Sequence, residues 1–219
     1  MKALQLAVKW IADRVLAAVG LVLLAPVLGA IWVWVRRDAG KPVFMSQTRA
    51  GLGGKPFRLL KVRSMVPDAV RVGLELGLTD DPFGVVPGDP RITKSGRILR
   101  RTGLDELPQL VNILRGEMSI VGPRPDLVEQ AAHYSDSDRR RLTVRPGLTG
   151  WSQVHGREEI GWPERIEQDL WYIDHWSLWL DAKIVVLTFA QFFRSEPEPV
   201  EDTMNIERAR AARERAGDQ

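Results

Sequence analysis

The chain is 219 residues long and contains no cysteine. That length suits one sizeable core, and the missing thiols exclude disulfides, zinc–thiolate centres and a cysteine nucleophile. Thirty-one Lys and Arg against 28 Asp and Glu leave a formal charge of only +3, with a pI near 9.4, a modest excess suited to anionic lipid, a nucleotide or nucleic acid.

Residues 15–35 carry no charged side chain, which matches the ~20 apolar residues a spanning helix needs. The run is too long, and too sparsely basic at its start, for a secretory leader, and no Ala-x-Ala cleavage site is evident. Pro26 falls near its middle, where it removes a backbone hydrogen bond and bends a helix. Positive charge flanks both ends, with Lys2, Lys9 and Arg14 before the run and Arg36, Arg37 and Lys41 after it. A simple span then has no preferred orientation. A segment that enters, bends at Pro26 and returns to the same face satisfies the charge rule, with Trp10, Trp32 and Trp34 near that face. On the residues alone, a bent re-entrant helix and a kinked span stand level.

Residues 40–64 read as two short strands joined by a glycine turn, Arg49-Ala50-Gly51-Leu52-Gly53-Gly54. No Gly-Lys-Ser/Thr follows, so the turn is not a Walker phosphate loop. Residues 67–90 are rich in Gly, Pro and Asp and read as a loop, with Asp80-Asp81 as solvated turn chemistry. Residues 95–101 form a short basic helix. Asp105 then has the place of an N-cap, Leu104, Leu107, Val111 and Leu114 repeat at helical spacing, Pro108 fits a first turn and Gly116 fits the stop.

Five tryptophans lie in residues 151–179. Ile166, Leu170, Ile173 and Trp176 make one helical stripe, and Ile184, Leu187 and Phe192 another. Beside an apolar N-terminal segment, these read as amphipathic helices at a membrane interface. The Arg/Glu/Ala-rich tail has no apolar face.

Asp105-Glu106 is the centre of the chemistry. A lone acidic pair is usually a cap and a solvated neighbour. Here Arg100 and Arg101 precede it, and a helix N-terminus with positive neighbours suits a phosphate. An aspartate so flanked stays ionised, as a nucleophile must. Attack on a diphosphate needs charge neutralisation, which Mg²⁺ held by oxygen ligands supplies. Pro123-Arg124-Pro125 is a rigid turn by itself. Asp136-Ser137-Asp138 lies in a hydrophilic run and reads as capping. His133, His155 and His175 lack metal-ligand spacing. Arg157 and Asp169 are secondary site candidates, with a salt bridge the alternative for Asp169.

These blocks, in this order behind the apolar segment, resemble the bacterial sugar transferase family, the small monotopic phosphoglycosyl transferases. The resemblance rests on Gln47-x-Arg49-x-Gly51, Lys61-x-Arg63-Ser64-Met65, Leu104-Asp105-Glu106-Leu107-Pro108-Gln109-Leu110, Gly122-Pro123-Arg124-Pro125 and Arg145-Pro146-Gly147-Leu148-Thr149-Gly150-Trp151, and it runs to about Phe193. It implies an α/β fold, mostly helical with a small β-hairpin, seated in the membrane by a re-entrant helix. The organisation it implies is a membrane helix at 1–38, a cytosolic catalytic domain at 39–195 and a charged tail at 196–219. The family often has Ser before this Pro, where this chain has Ala25.

The resemblance also implies transfer of a sugar-1-phosphate from a UDP-sugar to polyprenol (undecaprenyl) phosphate at the cytoplasmic face of the bacterial inner membrane, initiating glycoconjugate synthesis. Asp105 would be the nucleophile and a Mg²⁺ ligand, forming a covalent phospho-sugar enzyme with release of UMP. Glu106 would be its partner carboxylate, a second metal ligand or a base. Arg100 would engage phosphate, Pro123, Arg124 and Pro125 would recognise uridine, and Arg157 and Asp169 would support the substrate. Nucleic acid is not an expected partner. The rival readings are a glycosyltransferase that releases UDP, and a non-enzymatic basic protein tethered to a membrane.

Overall fold

The computed structural model describes residues 2–76, 88–156 and 160–192. It begins with one helix, α1 (Lys2–Asp38), which contains Pro26. Most of its apolar side chains face outward, among them Leu4, Ile11, Leu16, Val22, Leu23 and Trp32. Only a narrow set is buried against the rest of the protein. Ala17 packs with Phe57, Leu59, Leu110 and Met118, and Ile31 and Val35 pack with Val43, Val62 and Leu99.

The polar contacts of α1 lie at both ends. Lys9 Nζ donates to Asp181 Oδ2 at 2.7 Å and to the Val121 carbonyl at 3.1 Å, and Ser119 Oγ donates to Asp13 Oδ2 at 2.6 Å. At the other end Asp38 Oδ2 accepts the Ser95 N–H at 2.8 Å, and Arg63 donates to the carbonyls of Lys41 and Ala39. The two ends of α1, on either side of Pro26, therefore grip the same folded body.

The expected hairpin is present. β1 (Phe44–Ala50) and β2 (Pro56–Val62) pair antiparallel, Phe44 opposite Val62 and Ala50 opposite Pro56. The turn uses Gly53 and Gly54 at positive φ, which glycine adopts without steric cost. A second pairing was not foreseen: β3 (Ser119–Val121) and β4 (Gly147–Thr149) run parallel.

The segment expected as loop holds a helix, α2 (Ala69–Glu75), while Asp80-Asp81 lies outside the described residues. The short basic helix is α3 (Lys94–Arg101), capped by Thr93, whose hydroxyl accepts the Gly96 N–H at 3.0 Å. Then come α4 (Gln109–Arg115), α5 (Val128–Ala131), α6 (Trp151–His155), α7 (Trp162–His175) and α8 (Leu178–Phe192). Ile166 and Ile184 of the two stripes are buried, and Ile173 and Trp176 pack beside Tyr172, Leu180 and Ile184. Trp179, Val186 and Phe189 remain outside. Asp138 accepts the Ser135 N–H at 3.1 Å, and the short 3₁₀ helix it begins has no side-chain cap. The charged tail lies outside the described residues.

Candidate active site

Asp105 does not cap a helix. It sits in a single 3₁₀ turn, Leu104–Glu106, entered through Gly103 at φ 63° and followed by Pro108 at the start of α4. The cause is local. A left-handed residue before the acidic pair reverses the chain, and the turn ahead of Pro108 closes by i→i+3 bonds, Glu106 N–H to Gly103 and Leu107 N–H to Leu104. The N–H groups of Leu110 and Val111 are likewise spent on Leu107 and Pro108. The helical phase therefore restarts at Pro108. Leu110 and Ile113 form the buried face, and Leu114, one of the residues at helical spacing in the sequence, is exposed.

Positive charge at the acidic pair comes from distant side chains rather than from a helix end. Glu106 Oε1 receives Arg124 Nη2 at 3.0 Å and Lys61 Nζ at 3.3 Å. Burial alone would raise the Glu106 carboxyl, but the Arg124 and Lys61 charges outweigh it and hold the pKa down at about 2. Glu106 is thus a fixed anion. Asp105 beside it is 6% exposed.

Arg100 comes from the last turn of α3, and its Nε donates to Ser64 Oγ at 2.9 Å. Ser64 is within reach because Gly96 lets α3 approach the segment after β2. A Cβ at Gly96 would lie 1.9 Å from the Ser64 carbonyl oxygen. Lys61, three residues before Ser64, is a site residue to which sequence reading assigned no role. The hint was its place in the Lys61-x-Arg63-Ser64-Met65 block, but the contact across to Glu106 is non-local.

Pro123 and Pro125 are buried while Arg124 stands between them, 27% exposed. The loop is fixed from below by a network that the sequence hid. Arg141 pairs with both Asp126 and Asp169, and its Nη2 donates to the Arg124 carbonyl at 3.1 Å. Asp126 Oδ2 also accepts from Tyr134 Oη at 2.6 Å and Trp162 Nε1 at 3.1 Å, and Asp169 Oδ1 accepts from Ser152 Oγ at 2.7 Å. Burial raises the Asp126 carboxyl, and the Arg141 charge with the Tyr134 and Trp162 donors more than reverses this. Asp169 is fully buried, so it acts through Arg141 on the Arg124 loop and faces no open space. Arg157 lies outside the described residues.

Among the described residues, no group of three or more His, Asp or Glu forms a metal cage. A Mg²⁺ that serves a diphosphate needs only one or two carboxylates, with phosphate oxygens and water completing its shell. Asp105 and Glu106 are the carboxylates that would supply that share, and both cationic contacts of Glu106 fall on Oε1.

A model of the bacterial sugar transferase family matches residues 4–195. The EpsL protein of Bacillus subtilis, named an uncharacterised sugar transferase, is 44% identical over 162 residues, 74% of this chain and 75% of that protein. The UDP-glucose:undecaprenyl-phosphate glucose-1-phosphate transferase of Escherichia coli is 44% identical over 190 residues, 83% of this chain but 39% of the enzyme. The protein of the same name from Caulobacter vibrioides is 40% identical over 193 residues, 82% of this chain and 67% of its own length. This chain thus spans about two fifths of the E. coli relative. With the family match covering the apolar helix, the acidic pair, the Pro-Arg-Pro loop and the block from Arg145 to Trp151, the chain belongs to the bacterial sugar transferase family.

Proposed function

We propose that the protein transfers a sugar-1-phosphate from a UDP-sugar to undecaprenyl phosphate, through a phospho-sugar ester on Asp105. The carrying observation is the acidic pair whose Glu106 is held by cations from two distant segments, Lys61 of β2 and Arg124 of the Pro-Arg-Pro loop. Relatives named as glucose-1-phosphate transferases with undecaprenyl phosphate as acceptor support the substrate class.

A carboxylate oxygen of Asp105 attacks the sugar-bearing phosphorus. The bond from that phosphorus to the bridging oxygen breaks, and UMP leaves with the electron pair. A phosphate oxygen of undecaprenyl phosphate then attacks the same phosphorus, freeing the Asp105 carboxylate and giving undecaprenyl diphosphate-sugar. Arg124, stiffened by its prolines and by Arg141, holds the nucleotide, and Arg100 holds phosphate. Glu106, kept ionised by Lys61 and Arg124, shapes the field around the nucleophile. Asp105 and Glu106 would hold Mg²⁺, which when bound neutralises charge on the diphosphate.

The polar grip on both ends of α1 supports the re-entrant seat. A straight helix from Asp13 to Asp38 would run about 37 Å, more than the ~30 Å hydrocarbon core, and one charged body does not contact both sides of a bilayer. The cytoplasmic face follows from the basic flanks.

The test is a half-reaction. Wild-type protein given Mg²⁺ and a UDP-sugar without acceptor should release UMP to about one equivalent and carry the phospho-sugar mass on the Asp105 peptide. UMP that appears only when both substrates are present, with no adduct, would reduce Asp105 to a ligand in a direct displacement. UDP as the product would replace this reading with a sugar-transferring glycosyltransferase.

A further inference from the structure

A cavity of about 520 Å³ lies between the N-terminal half of α1 and the body, with neither Asp105 nor Glu106 in its wall. Its walls are largely apolar, with Leu6, Trp10, Met118, Ile173 and Trp176 among them. Two guanidiniums also line it, those of Arg14 and Arg145. They converge on Gly116, the left-handed residue that ends α4. Arg145 Nε donates to the Gly116 carbonyl at 2.9 Å, and a Cβ at Gly116 would fall 2.0 Å from Arg14 Nη2. Arg14 lies over the Trp10 ring, 3.6 Å from its centroid, and donates to the Trp10 carbonyl. Among the described residues neither arginine forms an ion pair. Asp13, the carboxylate in the cavity wall, is committed to Lys9, Ser119 and the Ile120 N–H.

Capping the C-terminal end of α4 explains one cation there. It does not explain a second beside it, since the two repel: besides burial, the Arg145 charge lowers the Arg14 pKa. Arg14 is also the last charged residue before the uncharged run 15–35, so it stands at the depth where a bilayer carries its phosphates. We infer that this cavity binds a membrane phospholipid, its phosphate held between Arg14 and Arg145 and its upper chain lying against Trp10, Leu6 and Ile173. The acidic pair precedes α4 and Gly116 follows it. Those seven helical residues separate the two places by roughly 10 Å. The bound lipid is therefore a resident that seats α1, distinct from the acceptor, whose phosphate must reach Asp105. That distinction rests on the reaction proposed above, whereas the binding does not.

The experiment is native mass spectrometry of the full chain in detergent, titrated with phosphatidylglycerol, with no UDP-sugar present. A one-to-one adduct should form. Diacylglycerol with the same chains, which lacks the phosphate, should not form it. The variant carrying Arg14→Gln and Arg145→Gln should bind phosphatidylglycerol roughly 10–100-fold more weakly, the loss expected for charged hydrogen bonds. Should that variant not fold, Arg14→Gln alone should still weaken binding several-fold. Equal binding of diacylglycerol, or unchanged affinity in a folded variant, overturns the assignment. So does displacement of phosphatidylglycerol by an equal concentration of undecaprenyl phosphate, which would make the cavity the acceptor's.

Discussion

At the scale of single residues, the site works by fixing charge. Glu106 is an anion held between two cations, and its titration is a stability statement. Its carboxyl moves from an ordinary 4.5 down to about 2 in the folded protein. A depressed carboxylate contributes stability that is fully present above about pH 4.5 and is lost as pH falls toward 2. Glu106→Gln should therefore cost on the order of 2–3 kcal/mol at pH 7, with the gap closing between pH 4.5 and 2 as the wild type weakens. Denaturation curves of both proteins across that range check this; a gap that stays constant would mean that the contacts to Lys61 and Arg124 contribute nothing. Arg141 is the second test. Its removal leaves Asp126 and Asp169 buried without their counter-charge, so Arg141→Met should destabilise by about 3–5 kcal/mol. In any variant that still folds, the grip of the Arg124 loop on the UDP-sugar should loosen, seen as a raised KM. A folded Arg141→Met protein with native stability would remove the network from this account.

At the scale of elements, α1 decides how the protein sits. Residues 9–17 and 31–38 grip one body, so cysteines placed singly at Leu4 and Lys41 should both label from the cytoplasmic side. Labelling of either from the outside alone would make α1 a span. Much of this layer was legible in the sequence. The hairpin was written in the glycine turn at 51–54, α3 in the basic run after Thr93, and α1 in the charge-free run. Most of what was not legible is non-local. Three-residue strands such as β3 and β4 carry no periodicity of their own, and they pair across the whole intervening segment. Asp105 looked like a cap because the sequence does not reveal that Gly103 turns left-handed and forces a 3₁₀ turn before Pro108. Arg139, Arg140 and Arg141 read as one solvated run, yet only Arg141 is buried. Asp105, Glu106 and Arg124 were singled out by their motifs, whereas the Lys61 contact exists only because β2 crosses to Glu106.

At the scale of the whole molecule, α8 carries exposed apolar side chains as α1 does. α8 buries Leu180 and Ile184 against Tyr172 and Val121, while Trp179, Val186 and Phe189 project outward, Trp179 with 80% of its surface exposed. Positions 179, 186 and 189 share one helical face, opposite the one that packs. Large aromatic and branched side chains on such a face are favoured where a bilayer interface covers them. If that face is a second membrane contact, replacing Trp179 and Phe189 by Glu leaves the packed face untouched and removes an attachment that α1 does not duplicate. Each side chain withdrawn from the interface is worth on the order of 1–3 kcal/mol of transfer. The double variant should keep its far-UV spectrum and melting behaviour in detergent, yet show weaker crosslinking of α8 to lipid and slower turnover with an undecaprenyl phosphate acceptor in vesicles. UMP release in the half-reaction should be unchanged, since the UDP-sugar arrives from water. Loss of the half-reaction together with acceptor turnover would indicate damage to the fold, and unchanged lipid crosslinking would leave α1 as the one membrane contact.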